Sequence, residues 1–186
     1  MTFRSLLELD ARLSDRLRVA EQPGLLRMLA VFFAHSGDSW FWGAGLILLW
    51  LLSTSLWKRW EAVEFFGIWV LAAIVLCIKF LVRRRRPEGE WGGIYRNTDP
   101  HSFPSGHAAR AFLVAVLATG LAPAWVALLL WIWAPLVSLA RVAMGVHYVS
   151  DILAGAVLGI VVGLIGLELH PILLTWLSSL FGFSLW

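Results

Sequence analysis

Several long, nearly uncharged apolar segments constrain this chain more than any other feature of its sequence. A helix needs about 20 apolar residues to cross the hydrocarbon core of a bilayer, and it satisfies its own backbone polar groups while doing so. The chain has 186 residues, of which 60% are hydrophobic, and its mean hydropathy is +0.78, well above that of a soluble globular protein. We therefore predict an all-α, polytopic membrane helix bundle of about six transmembrane helices, forming one domain over residues 1–186.

The apolar runs divide into five predicted spans and shorter candidates at both ends. Twelve tryptophans indicate aromatic belts at the two membrane interfaces. The shorter runs Leu25–Ala34 and 172–186 are left open as half-spans or interfacial segments, and the first is the candidate for a sixth span. The five predicted spans are Trp40–Trp57, Ala62–Val82, Ala108–Leu121, Trp125–Leu139 and Ile152–Leu169.

The first twenty residues have a different, amphipathic pattern. Leucines recur at helical spacing against charged residues, which predicts an interfacial helix over residues 1–20 that lies on the membrane. The segment has no long apolar core and no small-residue cleavage site, so we expect no cleavable signal peptide. The leucines are Leu6, Leu7, Leu9 and Leu13, and the charged residues are Arg4, Asp10, Arg12, Asp15 and Arg16.

The basic residues avoid the apolar runs and gather at their ends. The run 83–86 is confined between two predicted spans, which makes nucleic-acid binding a poor explanation of it, and we expect no nucleic-acid partner. Anchoring by charge is sufficient to explain most of this run. We interpret three of its members as membrane anchors, namely Arg83, Arg84 and Arg85.

The first polar motif comprises Lys79, Arg86 and Pro87. Lys79 lies about one turn inside an apolar run, where an ammonium at the span centre would cost about 2.5–3.5 kcal/mol on insertion scales. Membrane anchoring by charge explains Lys79 less well than it explains Arg83, Arg84 and Arg85. Pro87 restricts Arg86 to an extended conformation, which can turn the guanidinium back over a site.

The second motif is Pro104-Ser105-Gly106-His107. Pro104 can end a polar connection and Ser105 can cap the next helix. Gly106 lets an anion approach the free backbone N–H groups of the first turn, where the helix dipole favours negative charge. His107 then lies beside that anion. The alternative is a simple N-cap with an incidental histidine.

The third motif comprises Arg141, His147 and Asp151. The histidine and the aspartate are four residues apart, so their side chains can meet on a helix. A carboxylate on one ring nitrogen fixes the tautomer and makes the other nitrogen a better nucleophile. Arg141 can clamp phosphate oxygens in a bidentate manner. The alternative is a surface His–Asp pair at a helix start.

The order of the spans brings the three motifs to one membrane face. Lys79–Arg86 ends one span and 105–107 begins the next, after a polar connection over 83–103 that its glycines and prolines predict to be a loop. The chain crosses and returns, so Arg141 ends a span on the starting side, where 147–151 opens the last one. Three cations, two imidazoles and a carboxylate at a membrane surface indicate phosphoryl transfer.

Other residues extend this picture. His101 is close enough to the second motif to touch a substrate, and Arg110 either snorkels or meets a second phosphate or a head group. His35 and His170 are interpreted as interfacial. Glycines at every fourth position of the last span predict a helix-packing seam, namely Gly155, Gly159 and Gly163.

The three motifs resemble the signature of the type 2 phosphatidic acid phosphatase superfamily, a family of membrane lipid phosphatases. The resemblance covers 79–151, and the flanking spans also fit. The family usually has serine before the arginine of the third motif, where this chain has Ala140, so one hydroxyl contact is missing. Ser138 does not replace it, because a shift of two helical residues points to nearly the opposite face.

The resemblance implies roles for these residues. His147 would become a phosphohistidine with Asp151 holding its far nitrogen, while His107 would protonate the leaving oxygen and later activate water. The oxyanion would be stabilised by Lys79, Arg86, Ser105, Gly106 and Arg141.

The resemblance also implies a cellular setting and a substrate class. No cofactor and no metal are expected. The expected substrate is an isoprenoid or glycerol lipid mono- or diphosphate, as in bacterial undecaprenyl-diphosphate or phosphatidylglycerophosphate phosphatases. The expected location is the cytoplasmic (inner) membrane, with the site on the extracytoplasmic side. The alternatives are a lipid phosphotransferase and a non-catalytic phospholipid-binding bundle.

Overall fold

The computed structural model describes residues 2–53, 55–89 and 93–181, which contain eight α-helices. Three of them, α4, α7 and α8, are long and apolar enough to cross a membrane, and three shorter helices, α2, α3 and α6, are also apolar. The prediction of an all-α membrane bundle is confirmed. The helices are α1 (Phe3–Arg16), α2 (Leu25–Ser36), α3 (Ser39–Leu52), α4 (Ser55–Val82), α5 (Gly93–Thr98), α6 (Gly106–Leu121), α7 (Ala124–Ala143) and α8 (Val149–Phe181).

The predicted span Trp40–Trp57 is wrong at its end, because α3 stops at Leu52 and α4 begins at Ser55. Hydropathy alone runs through this break, since the flanking residues are apolar. The Ser53 hydroxyl donates to Glu61 Oε2 over 3.0 Å, which ties the connection back onto α4. The basic pair at 58–59 therefore lies inside α4 and does not follow a span.

Two other boundaries differ from the prediction. Helix α8 does not end at Leu169 but continues through Pro171 to Phe181. Pro171 has no N–H to donate to the Leu167 carbonyl oxygen, and His170 Nδ1 lies 2.6 Å from that oxygen in its place. Residues 182–186 of the predicted short segment lie outside the described residues. The connection over 83–103 contains the short helix α5 and is not entirely loop.

Helix α6 is the centre of the bundle and packs against α4, α7 and α8. The predicted glycine seam on α8 is confirmed, because Cβ atoms added at Gly155 and Gly159 would lie 2.5 Å from the Ser105 carbonyl oxygen and 2.0 Å from the Ala109 carbonyl oxygen. This close approach brings the start of α8 to the start of α6. The Ser105 amide donates to the Asp151 carbonyl oxygen over 3.0 Å.

Helix α1 is amphipathic, as predicted, and its polar face caps α8. The Ser14 hydroxyl accepts from the Val149 amide over 2.9 Å, and Asp10 Oδ1 accepts from the Ser150 amide over 3.0 Å. These two amides begin a helix and have no intrahelical acceptor. The apolar face is exposed at Leu6, Leu7, Leu9, Leu13 and Leu17.

Candidate active site

One polar pocket of about 250 Å³ brings the three sequence motifs together. It lies where α4, the following connection, the start of α6 and the end of α7 meet. An apolar wall from α4 continues it along the bundle. Its polar lining consists of Lys79, Arg86, Asp99, His107, Arg110, Arg141 and His147, with Gly106 at the helix start.

The orientation of His147 follows from its neighbours. Arg86 Nη1 lies 3.1 Å from His147 Nε2, and a guanidinium can only donate, so Nε2 is the unprotonated nitrogen. The proton is then on Nδ1, which lies 3.4 Å from Asp151 Oδ2, within ion-pair distance but too far for a hydrogen bond. This tautomer presents the Nε2 lone pair to the pocket.

Burial keeps this imidazole neutral. Desolvation lowers the pKa of His147 to about 3, against the opposing effect of the Asp151 carboxylate and with reinforcement from the positive charges of Arg86 and Arg141. His147 is only 1% exposed. A neutral imidazole is the form that can attack phosphorus, so the site holds its candidate nucleophile ready at physiological pH.

The carboxylate of Asp151 is fixed by donors other than His147. Its Oδ1 accepts from Arg84 Nη1 over 2.8 Å, and its Oδ2 accepts from the Tyr148 amide over 2.9 Å. The side chain is fully buried. Such partners hold the carboxylate in the position from which it orients the imidazole.

Arg84 has a structural role that the membrane-anchor interpretation missed, and for this residue that interpretation is wrong. Besides Asp151, its guanidinium donates to Ser150 Oγ over 2.6 Å and to Asp10 Oδ2 over 2.7 Å, and it lies 3.9 Å from the centre of the Tyr148 ring. It therefore links α1 to the start of α8.

A sequence signal for Arg84 existed. Helix α4 ends at Val82, and Arg83 adopts a left-handed φ of 51°, as residues after a helix often do. The chain that follows is extended, and side chains alternate along an extended chain. Arg84 and Arg86 therefore turn inward, while Arg83 and Arg85 are exposed.

Asp99 is a second residue that the sequence analysis missed. Its carboxylate pairs with Lys79 and accepts from Arg86 Nη2 over 2.8 Å. The Lys79 ammonium also donates to the His101 carbonyl oxygen over 3.0 Å. Asp99 thus balances two buried cations from a position that a phosphate could take. It follows a short helix in a polar connection, and no spacing in the sequence marks it.

The second motif forms a capped helix start, as predicted. Ser105 is the N-cap of α6, and its hydroxyl accepts from the Ala108 amide over 3.4 Å. His107 Nε2 lies 2.8 Å from Oδ1 of Asp38, an aspartate at the turn between α2 and α3. Asp38 is the third site residue that the sequence analysis did not identify.

The other predicted residues divide into two groups. Arg141 is fully buried, and both it and Arg110 line the pocket. The ring of His101 instead packs edge-on against Phe80, with 6.0 Å between centroids, and it is not part of the pocket lining.

The surroundings of Ala140 explain why the absence of the family's serine has little effect on the pocket lining. Ala140 packs against Ala30 and Ala34 of α2 rather than lining the pocket. The Ser138 hydroxyl donates to the Ala134 carbonyl oxygen over 2.8 Å, so it is engaged within its own helix. Neither residue contributes a hydroxyl to the pocket.

This arrangement suits the transfer of a phosphoryl group. Lys79, Arg86, Arg110 and Arg141 surround a small volume with positive charge, and two imidazoles border it. Preorganised charge of this kind stabilises the equatorial oxygens of a transferring phosphoryl group. Within the described residues, no group of three or more His, Cys, Asp or Glu side chains is placed to hold a metal ion.

Comparisons with known proteins show the family of this chain. The model of the PAP2 superfamily matches residues 62–173. The decaprenylphosphoryl-5-phosphoribose phosphatase of Mycobacterium tuberculosis is 36% identical over 151 residues, which are 79% of this chain and 81% of that protein.

Two solved structures share the fold. LpxE of Aquifex aeolicus superposes with a TM-score of 0.70 at 26% identity, covering 86% of this chain and 95% of that one. A PAP2-type phosphatidylglycerolphosphate phosphatase of Bacillus subtilis superposes with a TM-score of 0.73 at 22% identity, covering 87% and 84% of the two chains.

Proposed function

Since this chain belongs to the PAP2 superfamily and is a multi-pass membrane phosphatase of lipid phosphates, we propose that its reaction proceeds through a phosphohistidine on His147. The observation that supports this most directly is the contact of 3.1 Å between Arg86 Nη1 and His147 Nε2. It identifies Nε2 as the basic nitrogen and puts a phosphate-binding cation beside it.

In the first step, Nε2 of His147 attacks phosphorus as the bond to the leaving oxygen breaks. Asp151 holds the Nδ1–H and stabilises the positive charge that develops on the ring. Lys79, Arg86 and Arg141 stabilise the equatorial oxygens, with the phosphate taking the place of the Asp99 carboxylate. The Ser105 and Gly106 region adds a helix N-terminus to this anion site.

His107 handles the protons in both steps. It donates a proton to the leaving oxygen as the lipid alcohol or phosphate departs. It then accepts a proton from water, which attacks the phosphohistidine, breaks the N–P bond and releases inorganic phosphate. His107 is then protonated again, as it was before the first step, and His147 is again a neutral imidazole. The enzyme therefore gains and loses no proton over one cycle.

The proposed substrate carries an isoprenoid or glycerol lipid chain. The pocket wall on α4 is apolar from Ile68 to Leu76 and ends at Lys79, so it runs about 16 Å at 1.5 Å per helical residue. A lipid chain can lie along this wall with its phosphate among the cations. The relative from M. tuberculosis is named for a decaprenyl lipid, which favours a polyprenyl chain.

Arg110 bears on whether a diphosphate is accepted. It lines the pocket beside His107, and its Nη2 donates to the Gly37 carbonyl oxygen over 2.5 Å. This held guanidinium could neutralise a second phosphate. We include diphosphate esters among the proposed substrates for that reason.

The proposed location is the cytoplasmic membrane, with the pocket on its extracytoplasmic side and residues 1–186 forming one domain. Lys58 and Arg59 lie at the opposite end of α4 from the pocket, which agrees with the positive-inside rule. Arg84 and Arg86 are engaged in the site. They therefore do not argue for a cytoplasmic orientation of that end, whereas the exposed Arg83 and Arg85 beside them run against the rule.

A substrate panel tests this proposal. Purified protein in detergent would be given polyprenyl monophosphate, polyprenyl diphosphate, phosphatidylglycerophosphate and phosphatidic acid, and phosphate release would be measured. We expect the highest kcat/KM for a polyprenyl substrate, and Arg110→Gln should reduce turnover of the diphosphate more than that of the monophosphate. Release from none of these lipids would contradict the proposal.

An acceptor experiment separates hydrolysis from transfer. The same reaction would be run with an excess of a lipid alcohol, and the phosphate would be followed into water and into lipid. Hydrolysis predicts inorganic phosphate as the product at every acceptor concentration. Phosphorylated acceptor as the main product would establish the phosphotransferase, and substrate binding without turnover would establish the non-catalytic bundle.

A further inference from the structure

The turn between α2 and α3, in a part of the chain that carries none of the three motifs, contacts the pocket residue His107 from behind the pocket lining. Asp38 Oδ1 lies 2.8 Å from His107 Nε2, and Asp38 Oδ2 lies 3.0 Å from His35 Nδ1. The side chains of Asp38 and His107 are only 13% and 15% exposed, whereas His35 is 51% exposed. A partly buried carboxylate thus bridges the pocket imidazole and a surface imidazole.

The Asp38 side chain contacts His107 instead of capping its own helix, α3. Asp38 occupies the N-cap position of α3, where an aspartate normally accepts from an amide of its own first turn, yet it makes no side-chain capping bond. The carboxylate therefore gives up a common stabilising contact and is directed at His107.

Two neighbouring contacts hold the turn against α6. A Cβ added to Gly37 would lie 2.8 Å from Val137 Cγ1 and 3.1 Å from His107 Cδ2, so the glycine backbone packs directly on the ring. The Gly37 carbonyl oxygen accepts from Arg110 over 2.5 Å. The position of the backbone that carries Asp38 is thus fixed against His107 by packing of the turn.

The charges around His107 make such a carboxylate necessary. Burial and then the guanidinium groups of Arg141 and Arg110 disfavour a positive imidazole, and Asp38 is the carboxylate that opposes them. Burial raises the pKa of Asp38, but the hydrogen bonds from His107 and His35 outweigh this effect and hold it well below its usual value. Asp38 is therefore a stable anion beside the ring.

We propose that Asp38 is a positioning residue for the general acid, holding the Nε2–H of His107 so that Nδ1 carries the proton delivered to the leaving oxygen. This inference rests on the proposed function, in which His107 is that acid. As the P–O bond breaks, the Nδ1 proton moves to the leaving oxygen, and the neutral ring keeps its Nε2–H on Asp38. The pocket then contains two His–Asp pairs with separate tasks.

Leaving-group dependence tests this role, because a merely structural defect would not distinguish leaving groups. We would measure kcat/KM, which reports the steps up to departure of the leaving group, for a long-chain alkyl phosphate and for 4-nitrophenyl phosphate. The alkoxide needs a proton to leave, and the nitrophenolate does not. Asp38→Asn should lower kcat/KM about 10²-fold for the alkyl phosphate, within the usual range for general acid catalysis, and less than about threefold for the aryl phosphate.

Two variants and one binding measurement complete the design. His107→Ala should show the same split between substrates with a larger loss, and Glu8→Gln, which alters an exposed acid that pairs with Arg4, should show no loss. Competitive inhibition by inorganic phosphate should be unchanged in Asp38→Asn, which shows that the pocket is folded.

The outcomes separate the inference from the function it rests on. If His107→Ala shows the split and Asp38→Asn loses nothing, or loses equally on both substrates with normal phosphate inhibition, the role of Asp38 is overturned. If His107→Ala itself shows no split, the assignment of the general acid fails instead.

Discussion

The two histidine–aspartate pairs of the pocket are built in different ways. His147 lies in the turn before α8 and Asp151 lies in the first turn of α8, four residues later, where Arg84 holds it and is itself held by Asp10 of α1. His107 lies on α6 and Asp38 lies in the turn between α2 and α3, 69 residues apart in the chain. The first pair depends on the local geometry of the turn that begins α8, and the second depends on packing of the α2–α3 turn on α6.

This difference indicates which contacts each chemical role requires. The nucleophile must be neutral and fixed, and its imidazole is fully enclosed, with a pKa lowered to about 3 by burial. The proposed acid must carry a proton among cations, and it has a carboxylate that is itself linked to an exposed histidine. Substitutions in the His147–Asp151 pair should therefore lower activity on every substrate. Substitutions in the His107–Asp38 pair should lower activity only on substrates with poor leaving groups.

The largest expected effect is that of His147→Ala. Removing the nucleophile should lower kcat/KM by on the order of 10⁴-fold or more for alkyl and aryl phosphates alike, as for other enzymes that lose a covalent nucleophile. Phosphate release measures it. His170→Ala, which changes a histidine far from the pocket on α8, is the matched control and should retain activity. Full activity of the folded His147 variant would reject the nucleophile assignment.

Asp151→Asn should have the next largest effect. The asparagine amide cannot stabilise the positive ring that forms during attack, and the loss should be about 10²- to 10⁴-fold, by analogy with triads that lose their carboxylate. Because Asp151 acts on the nucleophile, the loss should be similar for both leaving groups. If Asp151→Asn lost activity only on the alkyl phosphate, the two His–Asp pairs would not have the different roles assigned to them.

Asp10→Asn tests whether α1 contributes to the nucleophile side. The substitution weakens the ion pair with Arg84 and the cap on the Ser150 amide, so we expect about a tenfold lower kcat and a loss of about 1 kcal/mol of stability. Activity assays and thermal unfolding in detergent would measure the two effects. Asp15→Asn, an exposed acid on the same helix, is the control. Equal behaviour of the two variants would exclude a specific role for α1.

Adding a chelator is the last test, and it should not change turnover. The pocket provides four cationic side chains for the phosphate oxygens, so turnover should not change when EDTA is added and no divalent metal is supplied. A series of phosphate-release assays with and without chelator measures this. A strict metal requirement would show that the side-chain cations are insufficient.

The sequence made part of this site predictable because its chemistry is encoded in short spacings. The offset of four between His147 and Asp151, the proline after Arg86 and the capping serine before His107 each have a local physical meaning. Together with the alternation of spans, they predicted one pocket. The inward turn of Arg84 is also encoded in the extended segment before Pro87, in which alternate side chains face the same way.

The remainder depends on long-range packing. Asp38 and Asp99 are acids in connections, and nothing near them in the sequence indicates which cation or imidazole they contact. The same limit applies to helix boundaries, since hydropathy does not distinguish the break before Ser55 from a continuous span, or the continuation of α8 through Pro171 from a helix end. Those features follow from contacts such as Ser53 with Glu61.

The central claim is that phosphorus is transferred to Nε2 of His147, and trapping the covalent intermediate tests it most directly. Enzyme would be mixed with a radiolabelled lipid phosphate, quenched in base, where phosphohistidine persists, and digested for mass spectrometry. The account predicts a phosphoryl group on His147 in the wild-type protein and none in His147→Ala. A phosphoryl group on His107 or another residue, or turnover with no phosphoenzyme under conditions that slow its hydrolysis, would contradict it.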